Sequence, residues 1–509
     1  MLLHLLLASP FAAAILLALV PGKAPRLAQA LSVLLSAVIA VLAICLLVSF
    51  PDAPLATAPL TWFALPGTHA MVQYALYADG FSTWMVLLSS LLTLCALWLG
   101  NSCAGPRFKG YALLVLLLEG ALFGCFLASD AVLFFLFFEL LVPPAALLIA
   151  VYGGVGRKRA ALLFAIFTLA GSVPMAVALW AIAAWTGVTS GAMIGEALMG
   201  IPAAKVTVMF FAFALAFAVK TPLFPLHGWQ AESYTEAPGP VTALLSGAMA
   251  KVGVFGFLRW TLPLFPEASV EHSQLFVWLG VITVIFGALA ALRQNDIKRV
   301  LTFSSLGHLG LAIVGAFTLQ EGAILGVVLL MVAHGFSTGA LFFLAHIGEN
   351  WRNSRLLSSF GGMSSQSPRF ALLFMVGCLA AIAVPGSLGF VGEFLILQGA
   401  WQSYGILVAL LAGLGMILSA AYTLRVVQAM LFGKAPSSTI HDAGHGHATP
   451  EFEPGPELRL REILAIAPLL VLLFVFGLLP GSILHSVQNT MGKAPVIVAT
   501  DHAETNAHE

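Results

Sequence analysis

The arrangement of apolar and polar positions along the chain is dominated by apolar runs of roughly 20 residues or more, the length at which a helix crosses a bilayer. The two-residue alternation of a membrane barrel does not accompany them. Fourteen segments are read, near 2–20, 28–49, 72–99, 110–128, 130–152, 160–186, 206–233, 238–262, 273–292, 298–318, 321–347, 369–401, 404–432 and 462–486. Two of them are broken inside, the seventh at "KTPLFP" (Pro222, Pro225) and the twelfth at "AVPGSLGF" (Pro385, Gly386, Gly389). Proline removes a backbone donor and strains the preceding turn, so carbonyls are left unpaired at membrane depth. Such a break is tolerated where it faces a polar or watery cavity.

The breaks fall at corresponding places. Segment 7 is the fourth of segments 4 to 8, and segment 12 the fourth of segments 9 to 13. Segments 4 and 9 start on opposite sides of the membrane, so the two five-helix units are predicted to be inverted copies, the pattern of a transporter whose path lies at the repeat centres. The expected fold is an all-α integral membrane protein of about 14 transmembrane helices. Its predicted divisions are 1–109 (three N-terminal helices), 110–262 (first repeat), 263–433 (second repeat), 434–461 (cytoplasmic loop) and 462–509 (last helix and periplasmic tail).

Composition agrees with this pattern: 60% of the 509 residues are hydrophobic and 9% charged, with a mean hydropathy of +1.00, far outside the balance of a soluble domain. The net charge of zero hides an asymmetry. Of the 22 basic residues, Lys220 and Lys251 lie inside segments, Lys205, Arg259 and Lys493 lie on the even-numbered side, and the rest lie in odd-numbered loops. By the positive-inside rule the odd loops are cytoplasmic and both termini are outside. The first segment, "MLLHLLLASPFAAAILLALVPGKA", has its positive charges after the apolar run and no basic n-region, so it is read as a helix rather than a signal peptide.

Cys45, Cys95, Cys103, Cys125 and Cys378 form no metal-ligand spacing and read as small buried apolar residues, so no zinc or iron-sulfur site is expected. His441, His445 and His447 in "HDAGHGH" are read as part of a flexible solvated loop rather than a metal site. No Gly-rich dinucleotide or phosphate-binding loop is present: each "GK" pair is followed by Ala rather than Ser or Thr. The chain therefore shows no engine of its own, and its energy must come from an ion gradient or a partner.

Ionisable side chains inside a membrane are costly and are functional candidates by default. They are Glu119, Glu139, Lys220, His227, Lys251, His308, His334 and Glu393. At 1.5 Å per residue, Glu119, Glu139, Lys251 and His308 all fall near mid-membrane, although their helices alternate in direction. Burial disfavours the charged form of a lysine and of a carboxylate alike, which brings proton release and uptake toward neutral pH. Glu139 is the expected partner of Lys220, with the break beside the lysine supplying free carbonyls and room for water. The opposing interpretation is that these groups make structural hydrogen bonds, which is strongest for a single histidine. Asp79 is read as the N-cap of segment 3 and Asp130 as the cap of segment 5.

Six long stretches stand in order along the chain: "FFLFFELLVP", "AFAVKTPLFPLHGW", "EAPGPVTALLSGAMAKVGVFGFLR", "ALRQNDIKRVLTFSSLGHLGL", "MVAHGFSTGALFFL" and "VPGSLGFVGEFLIL". In the same order they resemble the antiporter-like proton-channel subunits of respiratory complex I (NADH:quinone oxidoreductase) and their relatives in multi-subunit sodium/proton antiporters and membrane hydrogenases. The resemblance implies fourteen helices with inverted repeats. It implies an acid–lysine pair at Glu139 and Lys220, a central relay at Lys251, connecting histidines at His308 and His334, and an outward terminal group at Glu393. The glutamate in "GEF" points to the M-type, the bacterial counterpart of mitochondrial subunit 4, as does the absence of the long lateral helix of the L-type. One departure follows "HGW": "QAESYTEAP" puts Glu232 and Tyr234 where relatives carry acidic and His positions, so no role is carried over to Tyr234.

The resulting expectation is a proton-translocating membrane-arm subunit of complex I in the bacterial inner membrane. No cofactor is expected on this chain; NADH, FMN, iron-sulfur clusters and quinone belong to partner subunits. Antiporter-like neighbours of the L and N types and membrane lipid are the expected partners, and nucleic acid is not. The alternatives are a subunit of a sodium/proton antiporter, which Glu393 counts against, a membrane hydrogenase-type complex, and a stand-alone solute transporter, for which no solute site is evident.

Overall fold

A computed structural model describes residues 1–22, 24–49, 54–434 and 456–491. The loop carrying His441, His445 and His447, and the tail beyond 491, lie outside the described residues. The main helices are α1 (Leu2–Ala18), α2 (Pro25–Val48), α3 (Gly80–Leu99), α4 (Asn101–Leu127), α5 (Ala131–Tyr152), α6 (Arg157–Thr186), α7 (Ala203–Lys220) and α8 (Gly228–Glu236). They continue as α9 (Gly239–Leu264), α10 (Ser273–Arg293), α11 (Ile297–Ala316), α12 (Glu321–Arg352), α13 (Pro368–Ala381), α14 (Leu388–Phe432), α15 (Leu460–Leu478) and α16 (Gly481–Met491).

Among the described residues, 12 helices are long and apolar enough to cross a membrane, against the fourteen segments of the sequence pattern. The difference has two sources. The first segment yields a helix of 17 residues, α1, and segments 12 and 13 share the single range α14, which the non-helical Gly405 (φ 77°, ψ 179°) divides into two helices. The last segment is shorter than read: α15 stops before Pro480, and a separate helix, α16, follows.

At the centre lies α12, whose apolar stretch is buried along its whole length. Helices at the periphery show aliphatic side chains outward, such as Leu34, Val38 and Val41 on α2 and Leu410 and Ile417 on α14. A helix with such a face in contact with lipid needs no packing partner there. Cys45 is also exposed on α2, which corrects the expectation that all five cysteines are buried.

Residues 54–78 hold four short strands, of which the last two, Met71–Tyr74 and Tyr77–Ala78, fall largely within the start of segment 3 as read from the sequence. Leu55–Ala56 pairs with Tyr77–Ala78, and Leu60–Ala64 with Met71–Tyr74, both antiparallel. Their aromatic and β-branched residues (Thr61, Trp62, Phe63, Val72, Tyr74 and Tyr77) favour strand over helix, and Asp79 then opens α3, its carboxylate accepting from Ser82 N–H at 2.7 Å. The same carboxylate pairs with Arg259 at 2.8 Å. Asp130 ties three elements together. It accepts from Val132 and Leu133 N–H at the start of α5, from Gln73 N–H in the strand pair, and from the Thr189 hydroxyl at 2.5 Å.

The two breaks share one hydrogen-bond pattern. After α7, Leu223 N–H donates to Ala218 O (2.9 Å) and Leu226 N–H to Leu223 O (2.6 Å). After α13, Val384 N–H donates to Leu379 O (3.2 Å) and Ser387 N–H to Val384 O (2.9 Å). Each is a five-residue reach followed by a tight turn, made by dissimilar sequences. Helix α9 carries two π-helical stretches, Leu245–Met249 and Phe257–Thr261, which a periodicity reading does not foresee. Wide turns of this kind occur inside helices chiefly at functional sites. Between them, Gly253 lets α9 lie against the first break: a Cβ there would fall 2.7 Å from Thr221 N and 2.9 Å from Phe217 O.

Candidate functional site

Four of the sequence-predicted groups come together in the middle of the molecule. Lys251 sits in α9 just past the first π-helical stretch and is fully buried. Its ammonium donates to Ser246 O at 2.5 Å and to His334 Nδ1 at 2.7 Å. The wide turn explains the first bond, since residue 251 lies five positions beyond Ser246 and its side chain reaches back to that carbonyl. Because lysine only donates, Nδ1 of His334 is the accepting nitrogen.

His334, on α12, stacks on His308, on α11, with ring centroids 5.1 Å apart and planes 22° from parallel. His308 Nδ1 faces Ser304 O at 2.8 Å, and its Nε2 faces Ala381 O at 3.1 Å and Glu393 Oε1 at 3.4 Å. Every one of these partners is an acceptor, an arrangement that a ring with two N–H donors satisfies. Ala381 is the last residue of α13, so the second break contributes a carbonyl to the site. Glu393 lies in the second turn of α14, just after that break, and is 3% exposed. Beside it is a cavity of about 20 Å³ lined by His308, Ser419 and Tyr422 among others, enough for a single water.

Lys251, His334, His308 and Glu393 thus form one line across α9, α12, α11 and α14. Hydroxyl groups border it: Ser246 and Ser305 are hydrogen-bonded at 2.9 Å, and Tyr422 donates to Ser304 Oγ at 2.8 Å. Sequence reasoning missed these, and also the Ser246 and Ala381 carbonyls. The serines of "FSSLGH" stand beside His308 in sequence and were a usable signal; a backbone carbonyl freed by a wide turn or a helix end leaves none.

The remaining candidates do not join the line. Lys220, 1% exposed at the end of α7, has no hydrogen-bond partner, and its ammonium lies 4.7 Å from the centroid of the Phe138 ring. Glu139, next to that phenylalanine, has a buried Oε1 that is also unpartnered, and no ion pair within 4 Å joins it to Lys220. The two expected partners are therefore not a bonded pair, and the lysine lies instead over the ring of the residue before the glutamate. Glu119, in α4, is fully buried with both carboxylate oxygens unpartnered. His227 stands at the start of α8 with its ring against Phe224 and Phe286, and its Nδ1 has no partner.

The unusual stretch after Trp229 also finds a place. Tyr234 is fully buried and donates to Leu245 O at 3.1 Å, where the π-helical stretch begins. Glu232 pairs with Arg299 at 3.5 Å, and Glu236 accepts from Gly156 N–H at 2.7 Å. Among the described residues, no group of three or more His, Cys, Asp and Glu is placed to hold a metal.

A lateral line of lysine, histidines and glutamate, with a π-helical stretch at one end and a helix break at the other, is suited to passing protons. Comparison with known proteins bears on what the chain is. A family model described as NADH:quinone oxidoreductase/Mrp antiporter, TM matches residues 128–419. NADH-quinone oxidoreductase subunit M of Rickettsia prowazekii is 34% identical over 427 residues, covering 83% of this chain and 84% of that protein. Among solved structures, a chain of respiratory complex I from Thermus thermophilus with bound NADH is 30% identical, with a TM-score of 0.82 over 97% of this chain and 100% of that one. A chain of the Mrp complex from Dietzia sp. reaches the same TM-score, 0.82, over 97% of each chain at 20% identity, which shows a shared fold. This chain belongs to the family of NADH:quinone oxidoreductase and Mrp antiporter transmembrane subunits, and within it to the M-type subunits of complex I.

Proposed function

We propose that this chain is a proton-translocating subunit of a complex I membrane arm, moving protons from cytoplasm to periplasm while other subunits carry electrons from NADH to quinone. The observation that carries the reading is the continuous line from Lys251 through His334 and His308 to Glu393, buried among apolar helices where an ionisable group is otherwise costly. Lys251 hands its proton to His334 Nδ1 along the bond already present. His308 hands its Nε2 proton to Glu393. Between the two histidines the rings stack, so no N–H points from one to the other; a ring rotation or a water completes that step. A proton on His334 sits between the Lys251 ammonium and a protonated His308, and repulsion among the three favours their loading in turn.

Glu393 then releases its proton toward the periplasm through the break at Ile382–Ser387, and Lys220 with Glu139 and Phe138 forms the corresponding group at the first break. The shared hydrogen-bond pattern of the two breaks supports inverted repeats spanning 110–262 and 263–433. The distribution of Lys and Arg supports a bacterial inner-membrane orientation with both termini periplasmic. Flavin, iron-sulfur and quinone chemistry belongs to partner subunits in this reading, and antiporter-like neighbours of the L and N types pack on either side.

The test is to solubilise membranes gently, purify the assembly through a tag on this chain, and assay NADH-dependent quinone reduction. Co-purifying flavin and iron-sulfur subunits with that activity are the expected result. Recovery of multi-helix chains alone, without redox activity, replaces it with a cation/proton antiporter.

A further inference from the structure

A second polar region lies away from this line, at the end of the molecule where the basic loops gather. A cavity of about 210 Å³ opens between α3, α4, α12 and the start of α15, lined among others by Asn101, Ser102, His346, Asn350, Arg459 and Arg461. Its volume is many times the roughly 10–15 Å³ that one water needs. Glu457 and Glu462 also line it, but their carboxylates are engaged with backbone N–H groups of Arg369, Phe370, Leu458 and Arg459. His346 is 6% exposed and forms the inner wall. Its Nε2 lies 2.8 Å from Ser102 Oγ and 3.2 Å from Asn350 Nδ2. Unprotonated, Nε2 accepts from the amide; protonated, it donates to the hydroxyl, whose own hydrogen goes to Leu99 O at 2.8 Å. Both states of the ring are thus served.

Behind His346 stands Lys298, 2% exposed although it begins a helix beside charged loop residues. Its ammonium donates to the carbonyls of Thr235 (2.9 Å) and Ala237, and two residues on, Gly239 lies against His346, so close that a Cβ there would fall 2.3 Å from the His346 Cβ. From Lys298 a polar stripe runs along α11. Lys298, Thr302, Ser305 and His308 are spaced four, three and three residues apart, the spacing of one drifting helix face, and all are buried. Ser305 meets Ser246, whose carbonyl holds Lys251.

We infer that this stripe is the inlet of the proton path, with His346 taking protons from the water of the cavity and passing them by way of Lys298 and the Thr302, Ser305 and Ser246 hydroxyls to Lys251. The inference deepens the proton-translocating reading and rests on it. In each step a proton leaves one nitrogen or oxygen for the next, and no other bond changes.

The test uses the assembled complex in inverted membrane vesicles, with NADH-driven acidification of the lumen as the readout. His346→Gln keeps a donor and an acceptor but carries no exchangeable charge, and is expected to slow acidification by about tenfold or more. His346→Ala is expected to be slowed likewise and to recover when imidazole is added, since the cavity admits it. A wild-type rate in His346→Gln overturns the inlet. So does slowing in His346→Ala that imidazole does not relieve, which assigns the ring a structural role. Should His346→Ala fail to assemble, Ser102→Cys modified from the cytoplasmic side with a membrane-impermeant maleimide decides: blocked acidification supports the inlet and unblocked acidification overturns it. Lys251→Ala separates the two proposals. Acidification by that variant removes the parent reading, whereas its loss beside a normal His346→Gln removes the inlet alone.

Discussion

At the scale of single residues, the site is built from groups that a membrane interior tolerates only with partners, and the structure supplies those partners unevenly. Lys251 and His308 have theirs; Lys220, Glu139 and Glu119 each keep at least one buried atom without one. An unsatisfied buried polar atom costs about 1–3 kcal/mol, and more when it is charged. Stability does not explain why such groups are kept, whereas transient hydration or protonation during turnover does. Replacing Glu139 with Gln or Lys220 with Ala is therefore expected to leave the complex assembled and to reduce proton pumping by at least about tenfold. Lumen acidification per assembled complex checks this, and normal pumping by both variants contradicts it. The identity of these residues was legible in the sequence because charges are rare in apolar runs. Their contacts were not: nothing in "FFLFFELLVP" says that the lysine lies over the ring of Phe138.

At the scale of elements, the backbone does much of the work. Two helix ends, two π-helical stretches and a set of close glycine contacts bring carbonyls to where cations and protons are handled. Gly253→Val is expected to push α9 away from the first break, because even a Cβ there collides with Thr221 and Phe217 backbone. The variant should be lost from the assembled complex, and recovery of wild-type amounts by affinity purification contradicts that. Asp130 is the clearest structural counterpart. Its carboxylate serves three N–H groups and a hydroxyl from three elements, so Asp130→Ala is expected to cost about 2 kcal/mol. That loss would be read as a lower thermal midpoint of the solubilised protein, and an unchanged midpoint counts against it. Both breaks and both aspartate caps were foreseeable from Pro, Gly and Asp placement. The strands at 54–78 and the wide turns of α9 were not, since hydropathy alone does not separate a short apolar strand from the first turn of a membrane helix, and a π-helical turn changes the local geometry without changing the apolar pattern.

At the scale of the whole molecule, α12 forms a buried spine, with α11, α9 and α14 laying their ionisable groups against it. Lipid-facing helices close the outside. This arrangement places Lys251 at the centre, and in the reading advanced here it joins a cytoplasmic inlet to the line ending at Glu393. The apolar runs and rare charges of the sequence carried the fold class, and the quoted motifs, "GEF" among them, carried the M-type resemblance. They did not carry the burial of Lys298, which sequence reading counted among the basic residues of the odd-numbered loops. The most direct test of the central claim is lumen acidification by inverted vesicles carrying Lys251→Ala, normalised to the amount of assembled complex. Acidification falling to about a tenth of wild type or less, with flavin and iron-sulfur subunits still present, is the predicted result. Acidification at the wild-type rate would show that protons do not pass through Lys251 and would contradict the account.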